Sequence, residues 1–318
     1  MLVSLVIATY NRMALLPRTL PALLRQDLDP GLTYEVRFVD DGSTDETPRL
    51  IARAAASADV VHYRRIEHTG SPAAPRNAGL DDARGDVIVF VDDDVVPDPD
   101  FVRQHAAFHR RFTADEDAAL GRLYLSDDVR RDPMSLFHSF PYDEAARARE
   151  LSYLFFWTCN VSLKADFARR FGRFDEDAEL HPLEDMECGY RLMSAGMRLR
   201  FLPEAAGCHV HQMLPDRVSQ KGRRTGRAQS ALIRRVPDLA LKRRFGILTA
   251  DQPALVRAVR VARRTAFRIA DNPLTRATLR TLGATNGARS AASDAYYYLA
   301  FRRAVVAGFR DAEQERRP

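Results

Sequence analysis

The stretch Val87-Ile88-Val89-Phe90-Val91-Asp92-Asp93-Asp94 decides the fold. Its five successive apolar residues suit a strand that is covered on both faces, which is typical of a parallel sheet. The three carboxylates come where such a strand would end. Because ligands of open α/β sheets bind beyond the carboxyl ends of the strands, we expect Asp92–Asp94 to face a ligand site.

The first hundred residues alternate short apolar runs with helical patterns. The predicted strands are Leu2–Ala8, Glu35–Asp40, Asp59–His62 and Asp86–Val91, and the predicted helices are Met13–Arg25, Thr44–Ala56 and Pro75–Leu80. This alternation indicates an α/β fold with a mostly parallel sheet flanked by helices. Polar residues also follow the first two strands, in Thr9-Tyr10-Asn11 and Asp40-Asp41-Gly42-Ser43, so we expect them to share one rim with Asp92–Asp94.

The rest of the chain has a mixed pattern and then a helical one. Leu151–Leu163 is predicted as an aromatic strand, Pro182–Ala195 as a helix, and Leu199–Leu202 and Gly207–His211 as short strands. Residues 217–318 carry 23 Lys and Arg against 7 Asp and Glu, whereas residues 1–216 carry 25 against 36. This split indicates that the two regions have different roles or different partners.

The composition excludes several classes of protein. With 318 residues, 46% of them hydrophobic and 29% charged, the chain is not collagen-like, disordered or of low complexity. It has no run of 18 apolar residues, so no transmembrane helix is predicted, and Leu2–Ala8 is too short for the core of a signal peptide. Cys159, Cys188 and Cys208 have neither paired nor metal-like spacing, which favours a reducing compartment. We therefore expect a cytoplasmic protein.

The acidic tripeptide Asp92–Asp94 has two interpretations. Two carboxylates one residue apart on a turn can face the same side, and hard oxygen ligands of this kind suit Mg²⁺ or Mn²⁺. Such a cation would let a net-acidic region bind an anionic nucleotide. The alternative is an Asp-rich turn that caps a helix near Pro99–Phe112.

Seven motifs in order resemble those of the family 2 glycosyltransferases, which have the GT-A fold. The resemblance covers roughly Leu2 to Gln212, about two thirds of the chain. The motifs are Val6–Asn11, Val39–Asp45, Arg76–Leu80, Val91–Asp94, Asn160–Leu163, Phe174–Glu176 and Glu184–Leu192. Each motif alone is weak, but seven in the right order identify the family well.

The resemblance implies a nucleotide-sugar donor, with a UDP-sugar favoured. The implied nucleotide-binding residues at the first strands are Thr9, Asn11 and Asp41, and Asp41 would accept the N3–H of a uracil. Arg76 would reach toward the base or the diphosphate. Two alternatives stay open: Asp41 precedes Gly42 and fits a turn, and Arg76 fits a surface helix charge.

The resemblance also implies a divalent cation, Mn²⁺ or Mg²⁺. Asp92 and Asp94 match the family's D-x-D motif, so Asp92 would contact the ribose or the metal and Asp94 the metal. His209 stands where many relatives place a further metal or phosphate contact, with His211 as the fallback. The alternative for His209 is a satisfied surface or core histidine.

Asp185 matches the family's general base, and Glu184 would orient it or act in its place. In an inverting transfer the acceptor hydroxyl loses a proton as it attacks, and a positioned carboxylate takes that proton. The alternative is structural, because both acids follow Pro182 in the first turn of a predicted helix, where negative charge favours the macrodipole.

Departures from the family pattern fall on the acceptor side. Thr158-Cys159 precede Asn160 where relatives often have Gly-Gly, and Pro182-Leu183 replace a common Trp-Gly. The acceptor is therefore left open between a lipid-linked molecule, a polysaccharide, a peptide and a small secondary metabolite. Trp157 and Asn160 are the predicted acceptor-binding residues. Trp157 fits equally well in a buried aromatic strand.

The basic region beyond residue 217 has two predicted uses. Lys221 and Arg224, in a basic segment that contains Gly222 and Gly226, would contact the nucleotide from a loop that closes over the diphosphate, with a solvated linker as the alternative. Arginines then recur at helical spacing from Arg257 to Arg268. A basic amphipathic helix is typical of proteins at the inner membrane face, although a packed helical extension fits as well. No nucleic-acid partner is expected, because no reading motif accompanies the charge.

We therefore predict an inverting, metal-assisted glycosyltransferase with a GT-A domain at 1–216 and a basic helical extension at 217–318. Within the GT-A domain, 1–112 would be the nucleotide-binding half and 113–216 the acceptor-binding half.

Two rival functions stay open. A nucleotidyltransferase also uses Asp–metal sites on an α/β sheet, but it would carry a Gly-rich basic phosphate loop where Thr9-Tyr10-Asn11-Arg12 stands. The other rival is a protein that binds nucleotide-sugars or a membrane surface without turnover. The intact Asp92, Asp94 and Asp185 disfavour it.

Overall fold

A computed structural model describes residues 1–131, 140–210, 215–247, 252–283 and 290–316. These residues form two compact units, which we call the sheet unit and the helical unit. The sheet unit comprises residues 1–126, 140–178 and 184–210. The helical unit comprises the rest of the described residues, most of them beyond 215.

The described residues form strands β1–β8 and helices α1–α13. The strands are Leu2–Thr9, Thr33–Asp40, Val61–Arg65, Val87–Val91, Val95–Pro97, Asp117–Leu125, Asn160–Lys164 and Arg198–His209. The helices of the sheet unit are α1 Leu16–Leu23, α2 Thr47–Ser57, α3 Ala73–Asp82, α4 Phe101–Arg111, α6 Tyr142–Arg147, α7 Ala165–Phe171 and α8 Glu184–Ser194. Those of the helical unit are α5 Asp127–Arg131, α9 Val218–Arg235, α10 Leu239–Arg244, α11 Ala254–Ala270, α12 Pro273–Gly283 and α13 Ala291–Gln314.

The eight strands form one mixed sheet in the order β3-β2-β1-β4-β7-β6-β8-β5. Strands β1 to β4 pair in parallel. The chain moves outward from β1 to β3 and then returns to the other side of β1. This reversal creates a topological switch point between the carboxyl ends of β1 and β4, where open α/β sheets bind ligands. The predicted α/β fold is confirmed.

The other half of the sheet places later segments beside this switch point. β7 pairs antiparallel with β4, so that Asn160 lies opposite Val91. β6 joins β7 to β8, and β8 carries His209 back to a position opposite Val95 on β5. Residues more than 60 positions apart in the chain thus reach the end of β4.

Burial explains why β4 forms the centre of the sheet. All five of its residues are buried, which removes an apolar run from water on both faces. On one face α3 lies close to β1 because residue 79 is glycine. A Cβ at Gly79 would lie 2.5 Å from Val6 Cγ1, so any larger residue would push α3, and Arg76 with it, away from the sheet.

Three of the predicted elements in the middle of the chain differ from the structure. The aromatic segment Leu151–Leu163 is not one strand: it contains a 3-10 turn at Tyr153–Phe155, and only β7 follows as strand. The two short strands predicted between residues 199 and 211 are one strand, β8, that has a register shift at its pairing with Gly121 and Arg122 of β6. In the portions of the chain that the structure describes, no helix is both long and apolar enough to cross a bilayer.

In the helical unit, α9 and α13 run in the same direction and approach closely. Gly222 and Gly226 of α9 face α13, and Gly308 of α13 faces α9; a Cβ on Gly226 or Gly308 would collide with the other helix's backbone. The predicted basic glycine loop at residues 221–227 is therefore wrong. The segment is helical, and its glycines let two helices pack without intervening side chains.

Candidate active site

The carboxyl end of β4 is an acidic corner of the sheet unit. Asp93 and Asp94 are buried, whereas the side chain of Asp92 is 36% exposed. Burial and the neighbouring carboxylates raise the pKa of Asp92, and burial raises the pKa of Asp93 to about 7 despite the Arg12 guanidinium 3.0 Å away. Three adjacent carboxylates in such a place repel one another, and a nearby cation would relieve this repulsion.

Arg76 bridges this corner to the first turn of α8. Its Nη2 donates to Asp92 Oδ1 at 3.1 Å, and its Nη1 donates to Glu184 Oε1 at 2.8 Å. Arg76 and Glu184 are both buried, and the guanidinium lies over the Phe174 ring. The predicted surface alternative for Arg76 does not fit this geometry. The side chain fixes the distance between β4 and α8.

Asp185 lies beside this bridge at the start of α8. Its Oδ1 accepts a hydrogen bond from the Met186 N–H at 2.7 Å. Loss of water contact and repulsion from Glu184 raise the pKa of Asp185 to about 8, and the charge of Arg76 opposes this rise only in part. The helix macrodipole favours a charged acid here, but burial is the larger effect. A carboxyl with a pKa near neutrality can act as a general base.

Asp94 and His209 come together from strands on opposite sides of β7 and β6. His209 Nε2 lies 3.4 Å from Asp94 Oδ1, and both side chains are buried. Among the described residues, no group of three or more His, Cys, Asp or Glu side chains is arranged to hold a metal ion. The two carboxylates of Asp92 and Asp94 nevertheless suit Mg²⁺ or Mn²⁺, since such ions are usually held by one or two carboxylates together with substrate phosphates and water.

The predicted nucleotide-binding residues at the ends of β1 and β2 hold loops in this structure. Thr9 is buried. Asn11 has a φ of +51° and accepts the N–H groups of Thr44 and Asp45. The structure thereby gives Asn11 a role in shaping the rim, where an asparagine tolerates the left-handed conformation.

Asp41 also holds a loop. Its Oδ1 accepts the N–H and the hydroxyl of Thr69, both at 2.8 Å, and its Oδ2 accepts the Gly70 N–H at 3.1 Å and lies 2.9 Å from His68 Nδ1. A carboxylate offers about four lone-pair positions, and the 68–70 loop uses them. A direct contact with a uracil N3–H therefore requires this loop to release one of these bonds.

The rim carries an aromatic pair that the sequence prediction missed. The rings of Tyr10 and His68 stack with centroids 4.2 Å apart and an angle of 18° between them. Both side chains are partly exposed, at the ends of β1 and β3. Tyr10 lies inside the first family motif, between two predicted residues. His68 gave no signal, because its place beside Tyr10 depends on the pairing of three strands.

The predicted acceptor contacts are not supported. Asn160 is fully buried; its amide donates to the Ala205 carbonyl at 2.9 Å and accepts from the buried His105, so it does not face a ligand. Trp157 is 7% exposed, packs among aromatic rings that include Tyr142, and donates its indole N–H to the Leu154 carbonyl. Both are core residues, and the buried alternative for Trp157 holds.

The remaining predicted residues lie elsewhere. Lys221 and Arg224 are on α9 of the helical unit, half-buried and exposed, respectively. His211 lies outside the described residues. Another family motif has a structural explanation: Asn77 of α3 exchanges hydrogen bonds with the backbone of Phe174 and donates to Glu176, which ties α3 to the segment before α8.

Comparison with known sequences identifies relatives of this chain. Residues 4–172, more than half of the chain, match the family model for Glycosyl transferase family 2. The chain is 35% identical over 233 residues to validoxylamine A glucosyltransferase of Streptomyces hygroscopicus subsp. limoneus; the match covers 65% of this chain and 51% of that protein. The chain thus spans about half the length of this curated relative.

Solved structures share the fold. A mannosyltransferase, PcManGT from Pyrobaculum calidifontis in complex with GDP-Man and Mn²⁺, superposes with a TM-score of 0.62 at 18% identity, covering 99% of this chain and 88% of that one. S. aureus TarS 1-349 in complex with UDP-GlcNAc gives a TM-score of 0.59 at 18% identity, covering 99% and 91%. At this identity the likeness establishes the GT-A fold.

Proposed function

Because the chain belongs to glycosyltransferase family 2 and is a glycosyltransferase, we propose that it is an inverting enzyme that transfers a sugar from a UDP-sugar to an acceptor hydroxyl, with a divalent cation and Asp185 as the general base. One observation carries this proposal. The Arg76 bridge fixes Asp92, at the switch point, relative to Glu184 and hence to Asp185. A donor site and a proton acceptor are thereby held in one rigid arrangement.

The proposed reaction is a single displacement. The acceptor oxygen forms a bond to the anomeric carbon while the bond from that carbon to the diphosphate oxygen breaks. The acceptor proton passes to Oδ2 of Asp185, since Oδ1 accepts the Met186 N–H. The raised pKa of Asp185 makes it a stronger proton acceptor than an ordinary aspartate.

The cation would be held by Asp92, Asp94 and His209. When bound, it supplies Lewis-acid stabilisation of the leaving diphosphate. Burial and the charge of Asp94 raise the pKa of Asp92, and a cation beside these carboxylates would offset both effects, which supports this role. Asp93, the middle of the three carboxylates, is buried and pairs with Arg12, so we do not include it among the cation ligands.

The Tyr10–His68 pair supports a nucleobase site at the rim. Two exposed stacked rings offer a flat surface on which a base can stack. The loop that carries His68 is tied to Asp41, so binding of the base and release of the loop would be coupled. The relatives bind different bases by name, UDP-GlcNAc for TarS and GDP-Man for PcManGT, and our preference for uridine comes from the family motifs.

For the acceptor, we favour a small hydroxylated metabolite. The relative at 35% identity is named for glucosylating validoxylamine A, which supports a soluble small acceptor over a polysaccharide or a lipid-linked one. The burial of Trp157 and Asn160 moves acceptor recognition to other residues near Asp185.

Turnover tests the catalytic part of the proposal. Release of nucleoside diphosphate should fall about 10²–10⁴-fold in Asp185→Asn, the range for loss of a general base. Asp166→Asn on α7, whose side chain is 84% exposed, is the matched control and should keep wild-type rates. Equal rates in wild type and Asp185→Asn with every donor that turns over would refute Asp185 as base. Nucleotide binding without any turnover would favour the non-catalytic rival.

A melting panel tests the donor and the cation. Nucleoside diphosphates of all bases are added with Mn²⁺ or with a chelator, to wild type and to Asp94→Ala. A ligand at 100 times its Kd stabilises by about 2.7 kcal/mol. We expect a shift with the uridine compounds that disappears with chelator and in the variant. A shift that persists under both conditions would exclude the cation, and a shift with another base would exclude uridine.

A further inference from the structure

A groove in the helical unit collects four arginines from three helices. α9 supplies Arg223, α12 supplies Arg276 and Arg280, and α13 supplies Arg303. Two hydroxyl-bearing side chains, Ser219 and Tyr296, line the same groove. None of the described residues that line this groove is acidic.

The positive charge in this groove is only partly balanced. Arg223 pairs with Asp311 at 2.7 Å, and Arg276 pairs with Asp271 at 2.8 Å, in both cases with a carboxylate outside the groove. Arg280 and Arg303 have no carboxylate within 4.0 Å among the residues that the structure describes. Converging guanidinium groups repel one another, so the arrangement costs free energy unless an anion occupies the space between them.

The groove also has room for a ligand. Between the arginines it is lined by alanines, among them Ala300, Ala304 and Ala307 of α13. The close packing of α9 on α13 through their glycines fixes the backbone on two sides. The four arginine side chains therefore line a groove whose backbone is held in place by this packing.

From this geometry we propose that the groove binds a phosphate-bearing ligand. A phosphate group presents several oxygens with up to two negative charges, so it can pair with more than one planar guanidinium fork at once. A hydroxyl from Ser219 or Tyr296 can donate to a remaining oxygen. The site lies wholly within the helical unit and is independent of the donor site proposed above.

Two sources offer this chemistry: a soluble phosphate ester and a phospholipid headgroup. Leu274 and Leu282 on α12 are 78% and 59% exposed, which suits a helix at a lipid surface. A soluble ligand needs only the arginines. The experiment below separates the two.

The test compares two double variants of equal charge in the full chain. Arg280→Gln/Arg303→Gln changes the groove. Arg244→Gln/Arg310→Gln removes two exposed arginines outside it and serves as the control. The first arm titrates inorganic phosphate by calorimetry in the presence of a chelator. The second arm measures co-flotation with vesicles of phosphatidylcholine alone or with one fifth phosphatidylglycerol.

We expect binding in at least one arm, weakened at least tenfold in the groove variant and unchanged in the control; a tenfold loss corresponds to about 1.4 kcal/mol. Binding to inorganic phosphate identifies the soluble source, and binding only to vesicles with phosphatidylglycerol identifies the headgroup. Equal loss in both double variants, or no binding in either arm, would overturn the proposal. Both double variants should show the same melting shift with nucleotides as wild type, which distinguishes the groove from the donor site. If the melting temperature of the groove double variant falls, Arg280→Gln and Arg303→Gln are tested singly.

Discussion

The acidic corner of the sheet unit and the arginine-rich face of the helical unit use charge in opposite ways. At the corner, carboxylates are buried against one another, and the pKa values of Asp93 and Asp185 rise to about 7 and 8. On α9, Arg223 and Arg227 pair with Asp311 and Glu315 at the surface. Buried charges without full compensation store free energy that a ligand can release, whereas exposed pairs contribute little.

The numbers of acidic and basic residues in a region give its net charge. They do not show whether those charges are buried together in a site or paired at the surface. The helical unit is held together by glycine contacts between α9 and α13, and its surface ion pairs are secondary. Arg76, which is buried, bridges the corner to α8, and its charge offsets only part of the rise in the pKa of Asp185 that burial and Glu184 cause. Five predictions test this contrast, from the largest expected effect to the smallest.

Arg76→Met should have the largest effect on stability. It removes the guanidinium that pairs with the buried Glu184, and breaking one side of a buried ion pair costs about 3–5 kcal/mol. Chemical denaturation should show this loss. Arg64→Met is the control, because the Arg64–Asp82 pair is exposed and should contribute less than about 1 kcal/mol. Similar losses in both variants would remove the distinction between buried and exposed pairs.

The pH–rate profile should show an acidic limb near pH 8. Asp185 must be deprotonated to accept the proton, so kcat/KM should rise with pH and reach a plateau above its raised pKa. Between pH 8 and pH 6 the deprotonated fraction falls from about one half to about one hundredth, so the rate should fall about 50-fold. Glu184→Gln should move the limb to lower pH, because it removes the charge that raises the Asp185 pKa. A flat profile from pH 6 to 8 would contradict this base.

Gly308→Val should destabilise the helical unit. Any side chain at this position meets the Arg223 backbone, and forced overpacking typically costs about 1–3 kcal/mol. Gly246→Ala is not a suitable control because its φ is +74°. Ala307→Val, at the groove side of the same helix, is the better comparison and should cost less. If both variants melt like wild type, glycine packing does not hold α9 to α13.

Asp185→Asn should stabilise the fold at high pH. A carboxyl with a raised native pKa binds its proton more tightly in the folded state, so its contribution to stability is present below pH 4 and is lost as the pH rises through about 8. Asparagine does not ionise, so the variant does not lose this stability as the pH rises. At pH 9 the melting temperature should rise by about 2–4 °C, which corresponds to about 1 kcal/mol. If Asp185→Asn melts at a lower temperature than wild type at pH 9, the folded state stabilises the charged Asp185 carboxylate.

Arg227→Ala should have the smallest effect. The Arg227–Glu315 pair is bidentate, at 2.9 and 2.5 Å, but it lies at the surface of the helical unit. Exposed pairs contribute little to stability, so the free energy of unfolding should change less than in the other variants above. A loss as large as that of Arg76→Met would overturn the contrast between the two regions.

Much of the sheet unit could be predicted from local sequence. The apolar run before Asp92 is explained by burial on both faces, and the alternation of strands and helices predicts β1 to β4 within a few residues. The prediction of a single strand at Leu151–Leu163 was wrong because aromatic residues are common both in strands and in buried segments that are not strands. The basic segment at residues 221–227 misled because glycines favour a loop in isolation, and only the approach of α13 makes them suitable for a helix.

The sequence predicted which residues lie at the candidate site, but it did not predict the contacts that those residues make. Asp41 and Asn11 lie at the rim as expected, yet both hold loops through backbone N–H groups. Asn160 was predicted to face the acceptor, but antiparallel pairing of β7 turns it into the core beside His105. Such outcomes depend on strand register and on neighbours far away in the chain, which a motif does not contain.

The sequence by itself determined the family, the α/β class and the acidic corner, because apolar runs, turn residues and motif order are properties of neighbouring residues. The tertiary structure decided what these residues do. It brought Arg76 to Glu184 across 108 positions and stacked His68 on Tyr10. It also raised the pKa of Asp185 by taking it out of water. Desolvation and charge repulsion depend on the distances between groups in space, and only the folded chain fixes those distances.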